Sequence, residues 1–474
     1  VFERKRKIER LCVMKFDLSV LADCVQGQLY LANSDKTINP ISFDQVSSDS
    51  RQSMNRALFV ALVGDRFDGH LFLAQAKTNG AVCALVEKLS FLEENHISGV
   101  VVPDTKQALA KLARFWRQQF DIPIVAVVGS NGKTTVKEMV RTALQSLVGE
   151  NHVCSTQGNL NNDIGVPLSV LSLRKQHLVA VFELGMNHPG ETSLLADIVR
   201  PTVAVINNAQ REHQEFMKDV EAVANEHALI LDEVRNQGVA VLPRDDAFFS
   251  FWKNHLRSRD ISSRVIDFSV KSSNSDALVR VLSIQEVERG QQISCVVGQQ
   301  VVDLCLPMLG VHHVANAMAA LAVVSGLGLD VTTAADALSH FETAKGRMVV
   351  HRLGLVTLID DTYNANPDSV RAAIDALAKR DGERTLILGD MGEVGEQGPD
   401  FHREIGCYAR ENQVLLWGVG SLSKEAVKAH GQGRCFESMD DLLKEVGLQK
   451  WSGTLLIKGS RFMKMERVVS QLLG

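Results

Sequence analysis

The chain has 474 residues, 45% hydrophobic and 23% charged, which is enough for about three domains that each own a core. A net charge of −5 argues against a general nucleic-acid binder, and an aromatic content of 5% leaves little for stacking single-stranded bases. No apolar run nears the ~18 residues that span a bilayer, and the eight cysteines include no C-x-x-C pair, so a zinc site or disulfide framework is disfavoured.

The chain opens Val1-Phe2-Glu3-Arg4-Lys5-Arg6-Lys7, without the apolar stretch of a secretory signal. Residues 1–13 read as an extension ahead of Met14 with no role in the fold. Residues 14–118 read as a first α/β unit. A short helix is expected over 16–22, strands over 58–62 and 81–86, and helices over 71–77 and 106–119. Gly64-Asp65-Arg66-Phe67-Asp68-Gly69-His70 is a polar, turn-rich loop. Ser48-Asp49-Ser50-Arg51 precedes the first strand. An Arg beside hydroxyls suits a phosphate or a pyrimidine edge; an exposed turn with a solvated Arg is the plainer account.

Residues 119–346 read as a second unit. The β-branched run from Ile124 to Val128 ends in Gly129-Ser130-Asn131-Gly132-Lys133-Thr134-Thr135, and a helical pattern follows at Val136, Met139, Val140, Ala143 and Leu144. Strand, glycine-bearing loop, Lys-Thr and helix is the layout of a phosphate-binding loop. Glycines let backbone N–H groups approach an anion, and the new helix points its positive end at it. Lys133 would reach the β- and γ-phosphates, and the Thr134 hydroxyl would hold Mg²⁺. Val127 stands where the usual pattern has its first glycine.

Strands are then expected over 177–182, 201–206 and 239–242, with a helix over 218–235, an antiparallel extension over 264–306 and a helix over 311–324. Alternation of this kind implies a mostly parallel sheet that binds ligands beyond the carboxyl ends of its strands. Glu183 ends one strand; its carboxylate either faces the phosphates or is a solvated strand-end acid. His213 lies in the loop after the next strand, and a lone His is more often a satisfied polar residue than a ligand. His312 and Asn316, at the start of the 311–324 helix, could meet a nucleotide base or serve as caps. Arg347 sits at a hinge, from which it could swing onto a γ-phosphate.

Residues 347–474 read as a doubly wound α/β domain of the Rossmann type. Strands are expected over 355–359, 385–388, 414–417 and 454–457, followed by helices over 368–379, 399–411, 421–430 and 463–473. Asp361 ends the first strand and suits ribose hydroxyls; the loop after it is unusually polar.

These residues together bring a resemblance. GSNGKTT (129–135), ELGMNHPGE (183–191), GVHHVANAMAA (310–320), KGRM (345–348), DDTYNANPDS (360–369) and LIKGSRFMKME (456–466) resemble the Mur ligase family, ATP-dependent amide-forming enzymes of bacterial cell-wall precursor synthesis. Within it, TQGNLNN (156–162), the Asn364-Ala365-Asn366-Pro367 run and the 48–51 and 64–70 stretches are similar to the member that joins D-alanyl-D-alanine to UDP-N-acetylmuramoyl-tripeptide. The D-N-P-R run common in the member that adds the third residue is absent. The resemblance implies ATP and Mg²⁺ as cofactors. Residues 129–135, Asn316, Arg347 and Asp361 would hold the nucleotide, and Thr134, Glu183 and His213 the metal. Lys133, Arg347, His213 and His227 would be catalytic. Ser50, Arg51, Asp68, Gly69 and His70 would hold the UDP end of the substrate; Asn161 and Asn162 would lie near its peptide arm. Asn364, Asn366, Lys458, Ser460 and Arg461 would serve the incoming dipeptide or domain closure. A monomer is expected, in a reducing cytoplasm that keeps the scattered thiols free.

Two departures stand out. Many family members carry a lysine, modified to a carbamate, in an A-K-x-E motif on the helix after the His213 loop. Here His227 aligns with it, and no Lys occurs between 219 and 252, which leaves His227, Glu226, an outside residue or water to substitute. His313 stands where Asn is common. The residues leave open a folate-type or other amino-acid ligase, a nucleotide-binding module without ligation, and an inactive scaffold.

Overall fold

Strand runs that are apolar at every position, rather than at alternate ones, belong in sheets covered on both faces. The computed structural model bears this out across three α/β sheets; it describes residues 16–32, 41–64, 67–235, 237–271, 276–287 and 290–474. The expected extension 1–13, with Asp65 and Arg66 of the 64–70 loop, lies outside the described residues.

In the first sheet, β1 (Gln28–Tyr30), β2 (Gln45–Ser47), β3 (Ala57–Val60), β4 (Ala81–Val86) and β5 (Gly99–Val101) stand in the order β1-β5-β4-β3-β2, with only β1 antiparallel. The helix expected over 16–22 begins later. Phe16–Asp17 pairs with Ser42–Phe43, the Phe16 ring stacks on Phe43 at 5.6 Å, and α1 is Leu18–Val25. A tertiary partner thus claims two residues that helical spacing alone would include. Helix α2 (Thr105–Arg117) opens on Asp104, whose carboxylate accepts from Gln107 N–H. The buried Arg117 donates to the carbonyls of Val199, Phe120 and Arg200, tying this helix to the next domain through one continuous core.

The second sheet has nine strands. Those up to the phosphate loop's neighbours are β6 (Ile124–Val128), β7 (Val153–Ser155), β8 (Val179–Glu183) and β9 (Val203–Ile206). The rest are β10 (Val239–Pro243), β11 (Arg264–Ser269), β12 (Val279–Val287), β13 (Gly290–Val297) and β14 (Gln300–Leu306). Their order is β7-β8-β6-β9-β10-β11-β12-β13-β14. The 264–306 stretch is only partly the expected antiparallel extension. β11 pairs parallel with β10, and β12 begins parallel to β11; only β13 and β14 run antiparallel. A crossover helix, Phe249–Ser258, returns the chain for the parallel pairing, and residue pattern does not reveal that return. One face is covered by α3 (Lys133–Val148) and α6 (Val311–Gly326), the other by α4 (Glu191–Val199) and α5 (Val220–Asp232).

The third sheet contains β15 (Val349–Leu353), β16 (Val356–Asp361), β17 (Arg384–Gly389), β18 (Leu415–Val419), β19 (Arg434–Phe436) and β20 (Gly453–Lys458). The order is β15-β16-β20-β17-β18-β19, parallel but for the β15–β16 hairpin. Helices α7 (Pro367–Ala378) and α8 (Gly398–Glu411) cover one face. The sequence pattern does not mark β15, β19 or the helix Met439–Leu448. Among the described residues no helix is long and apolar enough to cross a membrane.

Candidate active site

The carboxyl ends of β6, β8 and β9 open into a cavity of about 740 Å³, closed on its far side by the third domain. At its floor, Gly129 and Gly132 take φ of +143° and +79°, a region that side chains disfavour. Space is also short: a Cβ on Gly132 would lie 2.6 Å from Asn316 Oδ1, and one on Gly129 2.9 Å from Asn207 Cβ. No side chain caps the start of α3, so its first N–H groups and its dipole serve the cavity. The loop is cradled by amides. Asn131 N–H donates to Asn208 Oδ1 (2.9 Å), Asn207 and Asn208 both donate to the Asn131 carbonyl, and Asn131 Nδ2 donates to Gln210 Oε1 (2.7 Å). The Ser130 hydroxyl accepts from Gln210 N–H at 2.8 Å.

Lys133 Nζ donates to the Gly129 carbonyl (2.5 Å) and to Glu212 Oε2 (3.0 Å). Burial would raise the Glu212 carboxyl, but the Lys133 ammonium, with His227 and His213, overcomes it and holds the group down at about 2. His213 lines the cavity with φ of +48°; its Nδ1 is 2.7 Å from Glu393 Oε2 in the third domain. His227 does not line the cavity. It is fully buried behind Glu212, with Nε2 3.2 Å from Oε1 but out of line for a hydrogen bond. The structure therefore does not bring His227 to the cavity, where the catalytic role expected of it would place it. Glu226 is also absent from the cavity lining, and its two oxygens accept from Gly190 and Thr192 N–H at the start of α4.

The residues present fit a divalent cation. Glu183 Oε1 accepts from Asn161 Nδ2 at 2.8 Å, while Oε2 is buried on the cavity wall without a donor. An orphaned buried carboxylate oxygen beside a phosphate loop and the Thr134 hydroxyl is what Mg²⁺ requires. Asn162 also lines the cavity, with its Oδ1 engaged by Gly165 N–H.

The opposite wall carries Asn316, Arg347, Asp361, Asn364, Asn366 and Lys458. Asn316 Oδ1 accepts from Asn207 Nδ2 at 2.9 Å, so it braces the phosphate loop. Arg347 lies over the Tyr363 ring and donates to Thr134 Oγ1 at 3.0 Å. Lys458 Nζ donates to Asp361 Oδ2 (2.6 Å) and the Asn364 carbonyl (2.8 Å); burial pushes the Asp361 carboxyl up against that pull. Asn366 caps α7 in a capping box with Ser369 and donates to Asn131 Oδ1 at 2.9 Å, joining the third domain to the loop. Burial, aided by Lys458, pushes His312 down to about 4, and His313 beside it has no hydrogen-bond partner on either ring nitrogen. Ser460 and Arg461 stand off the cavity wall: Ser460 is buried against Gly392 and Ala365, and Arg461 pairs with Glu466 on the surface.

The residues expected in the first domain do not reach this cavity. Ser50 Oγ donates to Gln75 Oε1 at 2.9 Å, and Arg51 forms an exposed pair with Asp49. Asp68 accepts from His70 N–H, and Gly69 packs against Leu62, where a Cβ would meet the Leu62 carbonyl at 2.6 Å. His70 is buried with both ring nitrogens used: Nε2 accepts from Glu87 N–H at 2.9 Å, which leaves Nδ1 to donate to Asp68 at 2.6 Å. Its ring holds the turn together, so a direct ligand contact through its nitrogens is ruled out in this geometry. Sequence reasoning missed Asn207, Asn208, Gln210, Arg211 and Glu212. One signal was available: a polar run directly after the strand next to the phosphate-loop strand.

A phosphate loop on a parallel sheet, facing a second α/β domain across a polar cavity, defines a nucleotide-using protein that works between docked domains. Three family models match in series: "Mur ligase family, catalytic domain" over 42–117, "Mur ligase middle domain" over 127–324, and "Mur ligase, glutamate ligase domain" over 346–461. The chain belongs to the Mur ligase family. It is 35% identical to the UDP-N-acetylmuramoyl-tripeptide–D-alanyl-D-alanine ligase of Escherichia coli (strain K12), over 96% of this chain and 98% of that protein. Against the ligase of the same name from Buchnera aphidicola subsp. Baizongia pistaciae the identity is 33%, over 97% and 99%. A crystal structure of MurF from Acinetobacter baumannii superposes with a TM-score of 0.88 at 31% identity, covering 97% of this chain and 99% of that one. MurF ligase from Thermotoga maritima in complex with ADP gives 0.76 at 26% identity, covering 90% and 96%. Mycobacterium tuberculosis folylpolyglutamate synthase, at 18% identity and 0.61, shares the fold alone.

Proposed function

We propose that the protein joins D-alanyl-D-alanine to the terminal carboxylate of UDP-N-acetylmuramoyl-tripeptide, cleaving ATP to ADP and phosphate, in peptidoglycan precursor synthesis. The observation that carries this is the cavity itself. It sets a phosphate loop and an orphaned carboxylate against Arg347 and the third domain, in a chain with full-length relatives of that name. The substrate carboxylate oxygen attacks the γ-phosphorus, the bond to the bridging oxygen breaks, and ADP leaves. The amine nitrogen then attacks the acyl carbon, the C–O bond to phosphate breaks, phosphate leaves and the amine loses a proton.

Positioning and charge carry phosphoryl transfer, with little covalent work for the protein. Residues 129–135 cradle the phosphates, Lys133, aimed by Glu212, reaches the phosphate oxygens, and Arg347 meets the charge spread over the transferring group. Thr134, Glu183 and His213 would hold Mg²⁺, whose chemistry here is charge neutralisation on the phosphates. Asn316 and Asp361 serve the nucleoside, and Asn161 and Asn162 the peptide arm. Asn364, Asn366 and Lys458 face the amine side and shield the acyl phosphate from water. The UDP end belongs to the first domain near Ser50, Arg51 and the 64–70 loop. Units 14–118, 119–346 and 347–474, a monomer and a cytoplasmic location complete the reading; three separate sheets support the division.

Phosphate release from ATP tests it, with UDP-N-acetylmuramoyl-tripeptide present and D-alanyl-D-alanine added or withheld. Release that needs both, with a pentapeptide product, is expected. Release without the amine and without product would mark a nucleotide-hydrolysing module instead.

A further inference from the structure

The segment Gln210–His213 runs between the phosphate loop and the third domain, and its side chains alternate between them. Gln210 bonds Ser130 and Asn131, and Glu212 bonds Lys133, so the even positions hold the loop. Arg211 and His213 turn the other way. Arg211 N–H donates to Asp368 Oδ2 (2.8 Å), its guanidinium forks onto the same carboxylate (Nη2 to Oδ1 2.6 Å) and onto Glu404 (Nη1 to Oε2 2.6 Å), and it lies over the Phe401 ring. His213 faces Glu393, and Glu215 N–H donates to the Glu393 carbonyl at 3.2 Å. The contacts of the even and the odd positions thus fall on opposite sides of the segment. Four residues therefore grip two domains at once, and His213, at a positive φ, closes the strap into the next turn.

Arg211 touches no residue of the phosphate loop, and Glu404 does not line the cavity. The strap links the third domain to Lys133 through Glu212, beside the direct contacts of Arg347 with Thr134 and of Asn366 with Asn131. Bidentate guanidinium–carboxylate pairs are rigid in distance and angle, so docking of α7 and α8 on Arg211 sets where Glu212 stands, and Glu212 sets Lys133.

We propose that Arg211 is a positioning residue that couples docking of the third domain to the nucleotide site through the strap Gln210–His213. This deepens the ligase reading and rests on it in one respect, that the third domain brings the amine. By linkage, whatever strengthens docking tightens nucleotide binding, and nucleotide tightens docking in return.

The test is calorimetric titration of ADP into the full-length enzyme, comparing wild type with Glu404→Ala, Arg211→Ala, Arg211→Lys and the Glu404→Ala/Arg211→Ala pair. Glu404 is a half-buried residue of α8 at the contact with the second domain, partnered by Arg211 and Arg371 and outside the hydrophobic core, so its loss should spare the fold. Glu404→Ala and Arg211→Ala are each expected to weaken ADP binding about threefold to thirtyfold. Lys at 211 should recover part of the loss, and the double variant should match Arg211→Ala alone. Unchanged ADP affinity in Glu404→Ala, or strictly additive losses in the pair, would overturn the coupling. Lowered melting temperature with unchanged affinity would reduce Arg211 to a structural tie and overturn it as well. The titration uses neither UDP-tripeptide nor amine, so failure of the ligase reading would show separately, as coupled ADP binding without amide product.

Discussion

Lys133 Nζ stands 3.0 Å from Glu212 Oε2, with the Glu212 side chain 5% exposed. Burial would raise that carboxyl, and Lys133, with His227 and His213, holds it down instead. The lysine of the phosphate loop is thus already one half of an ion pair, and the carboxylate fixes where its ammonium stands.

Lys133→Ala should abolish ligation and ATP turnover. It also strands Glu212, and breaking a buried pair from one side costs about 3 kcal/mol. Lys133→Ala with Glu212→Gln removes the stranded charge and should regain part of that stability while staying inactive. Urea unfolding beside a phosphate-release assay checks both; normal turnover in Lys133→Ala would sink the phosphate-loop reading.

Gly132→Ala should be inactive for a different reason. Its backbone sits in the left-handed region, which costs an alanine about 1–2 kcal/mol, and the new Cβ would press on Asn316 and Asn207. We expect lost ADP binding by calorimetry and a lowered melting temperature. An alanine variant that binds ADP normally would show that the loop does not need this geometry.

Glu183→Gln separates metal from fold. The amide oxygen can still accept from Asn161, so stability should stay within about 0.5 kcal/mol. The Mg²⁺ concentration for half-maximal ligation should rise about tenfold or more, since even outer-shell changes at metal sites cost about 10–100-fold. An unmoved Mg²⁺ requirement would remove Glu183 from the metal site.

Acid should weaken the protein in two stages. Burial, with Arg174 and His152 behind it, pushes His177 down to about 4, and His312 lies at about 4 as well, both from an ordinary 6.5. Between those values the unfolded chain binds the protons that the native one refuses. Stability is therefore full above pH 6.5 and falls as the pH drops towards about 4. Glu212, held at about 2 against an ordinary 4.5, adds a second loss as the pH falls through that lower window. Urea midpoints from pH 8 to 3 read both stages. His312→Gln should flatten the first and Glu212→Gln the second.

The absence of a lysine between 219 and 252 is a fact of sequence, but its consequence is not. Spacing points to His227 as the replacement, whereas packing puts Glu212 on the cavity wall and His227 behind it. Likewise His70 looks free in its loop, yet Glu87 N–H and Asp68 take both its nitrogens. Asp68 lies two residues away in the same loop, but Glu87 N–H comes from the end of another strand, and no local pattern names it.

By itself the sequence determined the strand, loop and helix at 124–148, the three α/β units and the family. These depend on glycine at strained φ, on a Lys-Thr pair after it and on apolar runs, all properties of neighbouring residues. The tertiary structure alone decided which polar groups meet: Glu212 with Lys133, Asn366 with Asn131, Arg211 with Asp368 and Glu404. A buried charge or amide must be satisfied by whatever the fold brings beside it, and here those partners come from 79, 235, 157 and 193 residues away.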